Sequence, residues 1–188
     1  LAKAIRASSF LDPALKRRNL AQALKQTAFR LVEGDLRDEG GLEKIFAEEK
    51  FDRVVHLSAR AGVRPSVENP ALYVDVNLRG TVYLLEACRS HGVRRFVFAS
   101  SSSVYGNSSR VPFSEEDPVN TPISPYAATK KAGALLCHAY HHLHGIDIAC
   151  LRYFTVYGPR QRPEMAIHHV TRAIHEGKKI SLFGDGSS

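Results

Sequence analysis

The chain of 188 residues holds no apolar run approaching the roughly 20 residues that a membrane-spanning helix needs. Its opening, "LAKAIRASSF", is too short and too weakly apolar to read as a secretory signal. Cysteine is scarce: Cys88, Cys137 and Cys150 are far apart, odd in number and never in a Cys-x-x-Cys pair. That argues against a disulfide framework or a zinc site. It favours buried thiols in a reducing compartment, with the cytoplasm as the expected location. No internal repeat or low-complexity tract is present, and no long basic block. Neither G-x-G-x-x-G nor G-x-x-G-x-x-G occurs, so these residues carry no glycine-rich turn to seat a pyrophosphate on a helix N-terminus.

What is present is ordinary in bulk and specific in detail. A hydrophobic fraction of 44% and a charged fraction of 24% are those of a globular protein. The length suits one domain with a real core, or part of a larger one. The net charge of +7, from 26 basic and 19 acidic residues, suits an anionic partner. The basic residues are scattered, as in "KRRN" at 16–19, "RR" at 94–95 and "RQR" at 160–162. Without an aromatic or motif signature for nucleic acid, a phosphorylated small molecule is the expected partner, with neither nucleic acid nor membrane involved.

The order of elements predicts the fold class. "FRLVEGD" (29–35) is a short β-rich run, and "GLEKIFAEE" (41–49) is helical. "DRVVHLSA" (52–59) is a continuous apolar run, as expected of a strand buried on both faces. A helix follows over about 70–90, with Leu78, Val82, Leu85 and Cys88 at helical spacing and Gly92 as its stop. "RRFVFASS" (94–101) is a third strand, and a Pro/Ser/Asn-rich loop leads to a helix at 126–143. "IDIACLRY" (146–153) is a strand, 164–176 a helix and "KISLF" (179–183) a last strand. Strands alternating with helices imply βαβ units: an α/β protein with a doubly wound parallel sheet and helices on both faces. Ligands in such sheets sit beyond the carboxyl ends of the strands. Asp35, "SARAG" at 58–62, the serines at 100–103 and "FTVYGP" at 154–159 all fall there.

Tyr126 and Lys130 are spaced to stack on one helix face, about 6 Å apart along the axis. An ammonium beside a tyrosine hydroxyl stabilises the phenolate, and such a tyrosine could take a proton from a sugar hydroxyl. The bare spacing is common by chance. The segments around it are not: "FASSSSVYG" (98–106), "SPYAATKKAGA" (124–134) and "RYFTVYGPRQRPEMA" (152–166) resemble the extended short-chain dehydrogenase/reductase family, and within it the nucleotide-sugar epimerases. The resemblance extends over "DPALKRRNLAQAL" (12–24), "LVEGDLRD" (31–38), "HLSARAGVRPSVENP" (56–70) and "DVNLRGTVYLLEACRSHGV" (75–93), in family order. "KRRNL", "FTVYGP" with threonine, and "RPEMA" resemble the UDP-glucuronate 4-epimerase branch.

The resemblance implies a Rossmann-like fold, NAD as cofactor, a UDP-sugar substrate and a homodimer formed through the helices near 70–90 and 126–143. It implies Tyr126 as catalytic base, Lys130 as its partner and a contact to the nicotinamide ribose, and Ser101 as the hydroxyl donor to the substrate oxygen. Asp35 with Leu36 matches the segment at the adenine, and Leu57, Ser58 and Ala59 the backbone passing the cofactor. Asn77 matches the helix asparagine of "N-x-x-G-T", and Tyr153 flanks the nicotinamide. Ser102, Ser103 and Thr155 would line the sugar pocket, and Arg162 stands where a guanidinium could grip a hexuronate carboxylate. The implied reaction is inversion at C4 of UDP-glucuronate to UDP-galacturonate through a transient 4-keto sugar.

The sequence also departs from that pattern. "RASSF" stands where an acidic segment would be expected, so residues 1–11 match poorly. The expectation is one partial Rossmann-like domain over 1–188, without its first βα unit, with 156–188 opening a substrate-binding lobe. A related dehydratase or reductase and a non-catalytic remnant are the alternatives. A dehydratase would be expected to place Asp-Glu after the hydroxyl residue, where Ser102 and Ser103 stand. The histidines His138, His141, His142 and His144 have helical metal-ligand spacing but no acidic or cysteine partner at ligand spacing, so a solvated face is expected and no metal.

Overall fold

The structure is a computed structural model that describes residues 2–4 and 12–180. These fall into two compact units: one holds the described residues within 1–6 and 31–154, the other those within 7–30 and 155–188.

In the first unit, β1 (Ala2–Ala4) pairs with β2 (Arg30–Val32) in a two-stranded sheet, although Arg30 itself falls at the boundary of the second unit. A three-stranded sheet follows, ordered β3 (Val54–His56), β4 (Arg95–Ser101), β5 (Asp147–Tyr153), with both pairings parallel. Its register aligns Val55 with Val97 and Ala149, and Ser101 with Tyr153. The parallel α/β order expected from the sequence is therefore present.

The crossovers form where the sequence supplies caps and apolar stripes. Asp38 accepts from Gly41 N at 3.0 Å and opens α2 (Glu39–Glu48), which buries Leu42 and Phe46. After β3 come two short helices, α3 (Val63–Glu68) and α4 (Pro70–Val74). The chain then passes through a π-turn (Asp75–Arg79) into α5 (Gly80–Ser90), which buries Leu84, Leu85, Ala87 and Cys88. Ser124 caps α6 (Pro125–His144) by accepting from Ala127 N, and Pro125 fits the first turn because its missing N–H has no partner there anyway.

Helices α2, α5 and α6 meet at one core with Phe96, Phe98 and Ile146. Burying each large side chain contributes about 1.5–3 kcal/mol. On the other face, Val55 and Leu151 are exposed, so the apolar run at 52–59 is not a strand buried on both faces. It is a strand of three residues, and Leu57–Ala59 already leave the sheet.

The second unit contains α1 (Pro13–Leu20) and α7 (Ala166–His175). The periodicity did not suggest α1. Its signal was "DP": Asp12 accepts from Ala14 N at 2.8 Å, and Pro13 sits in the first turn. Of the strand expected at 179–183, residues 179–180 are not in a strand and the rest lie outside the described residues.

Candidate active site

Lys130 is a buried cation on α6. Helix α6 is pinned at its start by Ser124, and the Lys130 side chain turns inward to β4. Its Nζ donates to the carbonyl of Ala99 at 2.7 Å and lies 5.2 Å from the Phe98 ring centroid and 6.0 Å from that of Tyr126. The residue is only 4% exposed, and burial lowers its pKa to about 8. One donor of the amine is spent on the sheet; an ammonium has three. Tyr126 is half-buried, edge-on to the ring of Tyr73 at 6.3 Å. The structure thus brings the spaced pair together at the carboxyl end of β4.

The serines occupy that same end. Ser101 closes β4, and its Oγ accepts from Ser103 N at 3.2 Å, opening a short turn (Ser102–Tyr105). Ser101 Oγ also donates to Ser103 Oγ at 3.2 Å. Tyr153, the last residue of β5, is the register partner of Ser101 and stays 42% exposed. A cavity of about 930 Å³ opens beside them, lined by Ser100, Tyr105, Arg152 and Tyr153 among others. Ser101, Ser102, Ser103, Tyr126 and Lys130 are not in its lining. Arg152 lies over the Tyr105 ring, 5.1 Å from its centroid, and Nη1 donates to the Tyr105 hydroxyl at 3.1 Å.

Asn77 sits in the π-turn, buried at 3% exposure, and its amide is fully used. Oδ1 accepts from Arg60 N at 2.7 Å, while Nδ2 donates to Arg60 O at 3.1 Å and to Thr129 Oγ1 at 3.0 Å. It pairs with the Arg60 peptide as a strand neighbour would, and so fixes the loop that carries Leu57, Ser58 and Ala59. Tyr73 holds the next residue, donating from its hydroxyl to Ala61 O at 2.8 Å.

Asp35 and Leu36 follow β2. Leu36 packs against Gly80, where an added Cβ would stand 3.0 Å from the Leu36 Cβ, so only glycine admits this approach without a shift. Asp35 is gripped by Arg37, through Nη2 at 2.7 Å and Nε at 3.1 Å, and Arg37 Nη1 reaches Asp75 at 2.6 Å. Asp75 also pairs with Arg79. The two carboxylates hold the guanidinium pKa well above its ordinary value.

Thr155 and Arg162 belong to the second unit. There Arg162 pairs with Glu164 at 3.3 Å and donates to Met165 Sδ. Of the helical histidines, His138 and His142 are exposed, and His141 Nδ1 meets Ile146 O at 2.8 Å. Cys88 and Cys137 are buried and Cys150 is exposed, which corrects the expectation that all three thiols are buried.

Sequence reasoning missed His56, Thr81, Thr129, Arg37 and Asp75. Each is a polar residue whose role depends on a partner 25–52 positions away or on a neighbouring turn. The one available signal was a histidine inside an apolar strand, which must find a hydrogen bond or stay neutral.

A model of the NAD dependent epimerase/dehydratase family matches residues 8–188. The chain is 48% identical, over 94% of its length, to a UDP-glucuronate 4-epimerase of Thermodesulfobacterium geofontis, of which it covers 54%. It is 49% identical, again over 94% of its length, to UDP-glucuronate 4-epimerase 3 of Arabidopsis thaliana, covering 41% of that protein. The chain therefore spans about half the length of the curated relatives it matches. Among solved structures, the UDP-glucuronic acid 4-epimerase of Bacillus cereus in complex with UDP-glucuronic acid and NAD is similar with a TM-score of 0.84 and 38% identity, over 99% of this chain and 58% of that one.

Proposed function

The chain belongs to the NAD dependent epimerase/dehydratase family, and from that premise we propose that it carries the catalytic centre for NAD-dependent inversion at C4 of a UDP-hexuronic acid, UDP-glucuronate to UDP-galacturonate. The observation that carries this reading is the buried Lys130 amine beside Tyr126 at the carboxyl end of β4. The names of the relatives supply the substrate.

The donor set suits the adenosine and nicotinamide ends of NAD, while no glycine-rich turn for its pyrophosphate is present in these residues. Asp35 and Leu36 after β2 and the Leu57–Ala59 segment after β3 stand at strand ends, beside Asn77, and would hold its adenosine side. Tyr153 and Lys130 would meet its nicotinamide side. When bound, NAD supplies a hydride acceptor that gives the hydride back to the opposite face of the sugar.

In this reading Tyr126 takes the proton of the sugar 4-hydroxyl and later returns it, and Lys130 holds positive charge against the phenolate. Ser101 turns its hydroxyl from Ser103 Oγ to the sugar oxygen, with Ser102 and Ser103 beside the sugar. A transient 4-keto sugar turns over between the two proton transfers. The reading assigns Thr155 to the sugar and Arg162, once released from Glu164, to the hexuronate carboxylate.

The test is incubation of the chain with NAD and UDP-glucuronate, with UDP-galacturonate sought by chromatography. Product that disappears in Tyr126→Phe supports the reading. A folded chain that binds NADH, judged by fluorescence titration, yet forms no product discards it. A homodimer belongs to the same reading: α6 exposes Leu135 at 57% and Leu143 at 69%, and α4 exposes Val74 at 50%. Light scattering that returns a monomer at micromolar concentration removes the homodimer.

A further inference from the structure

Behind Asn77 lies a second layer of polar groups that no role so far described uses. His56, on β3, is 4% exposed, and its Nε2 lies 2.9 Å from Thr81 Oγ1. Thr81, fully buried on α5, donates that hydroxyl to the carbonyl of Asn77 at 2.6 Å. A threonine hydroxyl has one proton. Since it goes to Asn77, His56 must be the donor to Thr81, which fixes the proton of its neutral ring on Nε2.

The same accounting applies on the far side. Thr129 gives its one proton to the carbonyl of Tyr126 at 2.8 Å, so its oxygen accepts from Asn77 Nδ2. The donors therefore run one way: His56 to Thr81 to the Asn77 carbonyl, and the Asn77 amide to Thr129 to the Tyr126 carbonyl.

This matters because Asn77 lies in a π-turn. A π-turn changes the backbone ladder from i→i+4 to i→i+5 bonding, and the Thr81 hydroxyl reaches back four residues to one of its carbonyls. Without the widened turn, the Asn77 side chain would rotate away from the peptide of Arg60 and from Thr129.

We propose that His56 and Thr81 are positioning residues: by occupying the Asn77 carbonyl they sustain the π-turn, and through the Asn77 amide they set the loop at 57–62 against the start of α6. The part that concerns cofactor binding rests on the function proposed above; the hydrogen-bond relay itself does not.

Two measurements test the relay in the chain as it stands. Nitrogen NMR of the wild-type imidazole of His56 is expected to show the Nε2–H tautomer. An Nδ1–H tautomer would overturn the proposal, because Nε2 would then need the Thr81 proton that Asn77 receives. Hydrogen exchange of the Arg60 amide, which Asn77 Oδ1 accepts, is the second. It is expected to quicken about tenfold in Thr81→Val relative to global unfolding, and to stay at the wild-type rate in Thr81→Ser, which keeps the hydroxyl. If Thr81→Val does not fold, His56→Phe serves, with a smaller acceleration expected because the Thr81–Asn77 bond remains.

A merely structural role would raise exchange everywhere, as in a Leu42→Ala control in the core, and that pattern in the Thr81 variant would also overturn the proposal. NADH titration adds the functional side: affinity is expected to fall about tenfold in Thr81→Val and to be restored by Thr81→Ser. Wild-type protein that fails to bind NADH would count against the proposed function alone, since the tautomer and the exchange pattern still decide the relay.

Discussion

Asn77 and Thr129 stand 52 residues apart in the chain and share a 3.0 Å hydrogen bond deep in the first unit. That one bond ties the crossover after β3 to the helix that carries Tyr126 and Lys130. Because the Asn77 amide also pairs with both backbone groups of Arg60, one side chain sets the spacing between the loop after β3 and α6.

Replacing Asn77 with alanine strands the Arg60 peptide and leaves Thr129 without its donor. Unmet buried groups of this kind cost about 1–3 kcal/mol each when truly dry. With water partly replacing the amide, Asn77→Ala is expected to lower stability by about 2–4 kcal/mol, read from urea unfolding midpoints. A loss under about 0.5 kcal/mol would mean the clamp is not a source of stability.

Gly133 lies where α6 crosses Phe98, and an added Cβ would stand 2.5 Å from the ring Cζ. Phe98 is buried at 2% exposure and has no room to retreat. Gly133→Ala is therefore expected to destabilise by about 1–3 kcal/mol, against the usual gain from replacing a helical glycine with alanine. Thermal unfolding checks the sign.

His56 should make the fold sensitive to mild acid. Burial, with a smaller contribution from the positive charge of Lys130, lowers its pKa from 6.5 to about 3. Between those values the unfolded chain binds the proton and the folded chain does not, so stability falls as pH falls. The slope is about 1.4 kcal/mol per pH unit well below the unfolded pKa. From pH 6.5 to 5 the loss from this group is about 1–2 kcal/mol. His56→Phe is expected to flatten the profile by that amount in denaturant titrations at the two pH values. An identical acid limb in the variant would place the sensitivity elsewhere.

Lys130 presents the opposite trade. Holding its ammonium in the core at neutral pH costs about 3 kcal/mol, judged from a pKa lowered from 10.5 to about 8. Its hydrogen bond to Ala99 O offsets about 1.5–3 kcal/mol of that. Lys130→Met should therefore fold with wild-type stability at pH 7 to within about 1 kcal/mol, while abolishing the epimerisation proposed above. As pH rises from about 8 towards 10.5 the wild type gains stability relative to the variant, because only its unfolded state still binds the proton. A variant that unfolds at neutral pH would show that the lysine is held for the fold rather than for chemistry.

Much of this was legible in the residues. The alternation of β3, β4 and β5 with α5 and α6 followed from apolar runs and helical spacing, because both are local and repeat along the chain. Lys130 and Tyr126 could be paired from their spacing, since four residues make slightly more than one helical turn. Sequence reasoning missed the caps Asp38 and Ser124, and α2 and α6 begin at Glu39 and Pro125, ahead of the expected 41 and 126. The short β3 could not be read. Val54, Val55 and Leu57 look alike in sequence, and only the pairing with β4, which ends at His56, shows where sheet gives way to loop.

The sequence by itself determined the family, the alternation of strands and helices and which lysine and tyrosine share a helix turn, because periodicity and motif are written between near neighbours. Only the tertiary structure decided that Lys130 is buried against Ala99, that Arg37 bridges Asp35 to Asp75, and that His56, Thr81, Asn77 and Thr129 form one directed chain. Those are matters of desolvation and of which donor meets which acceptor. A hydrogen bond between residues tens of positions apart leaves no period in the sequence; it exists once packing has excluded the water that would otherwise take either partner.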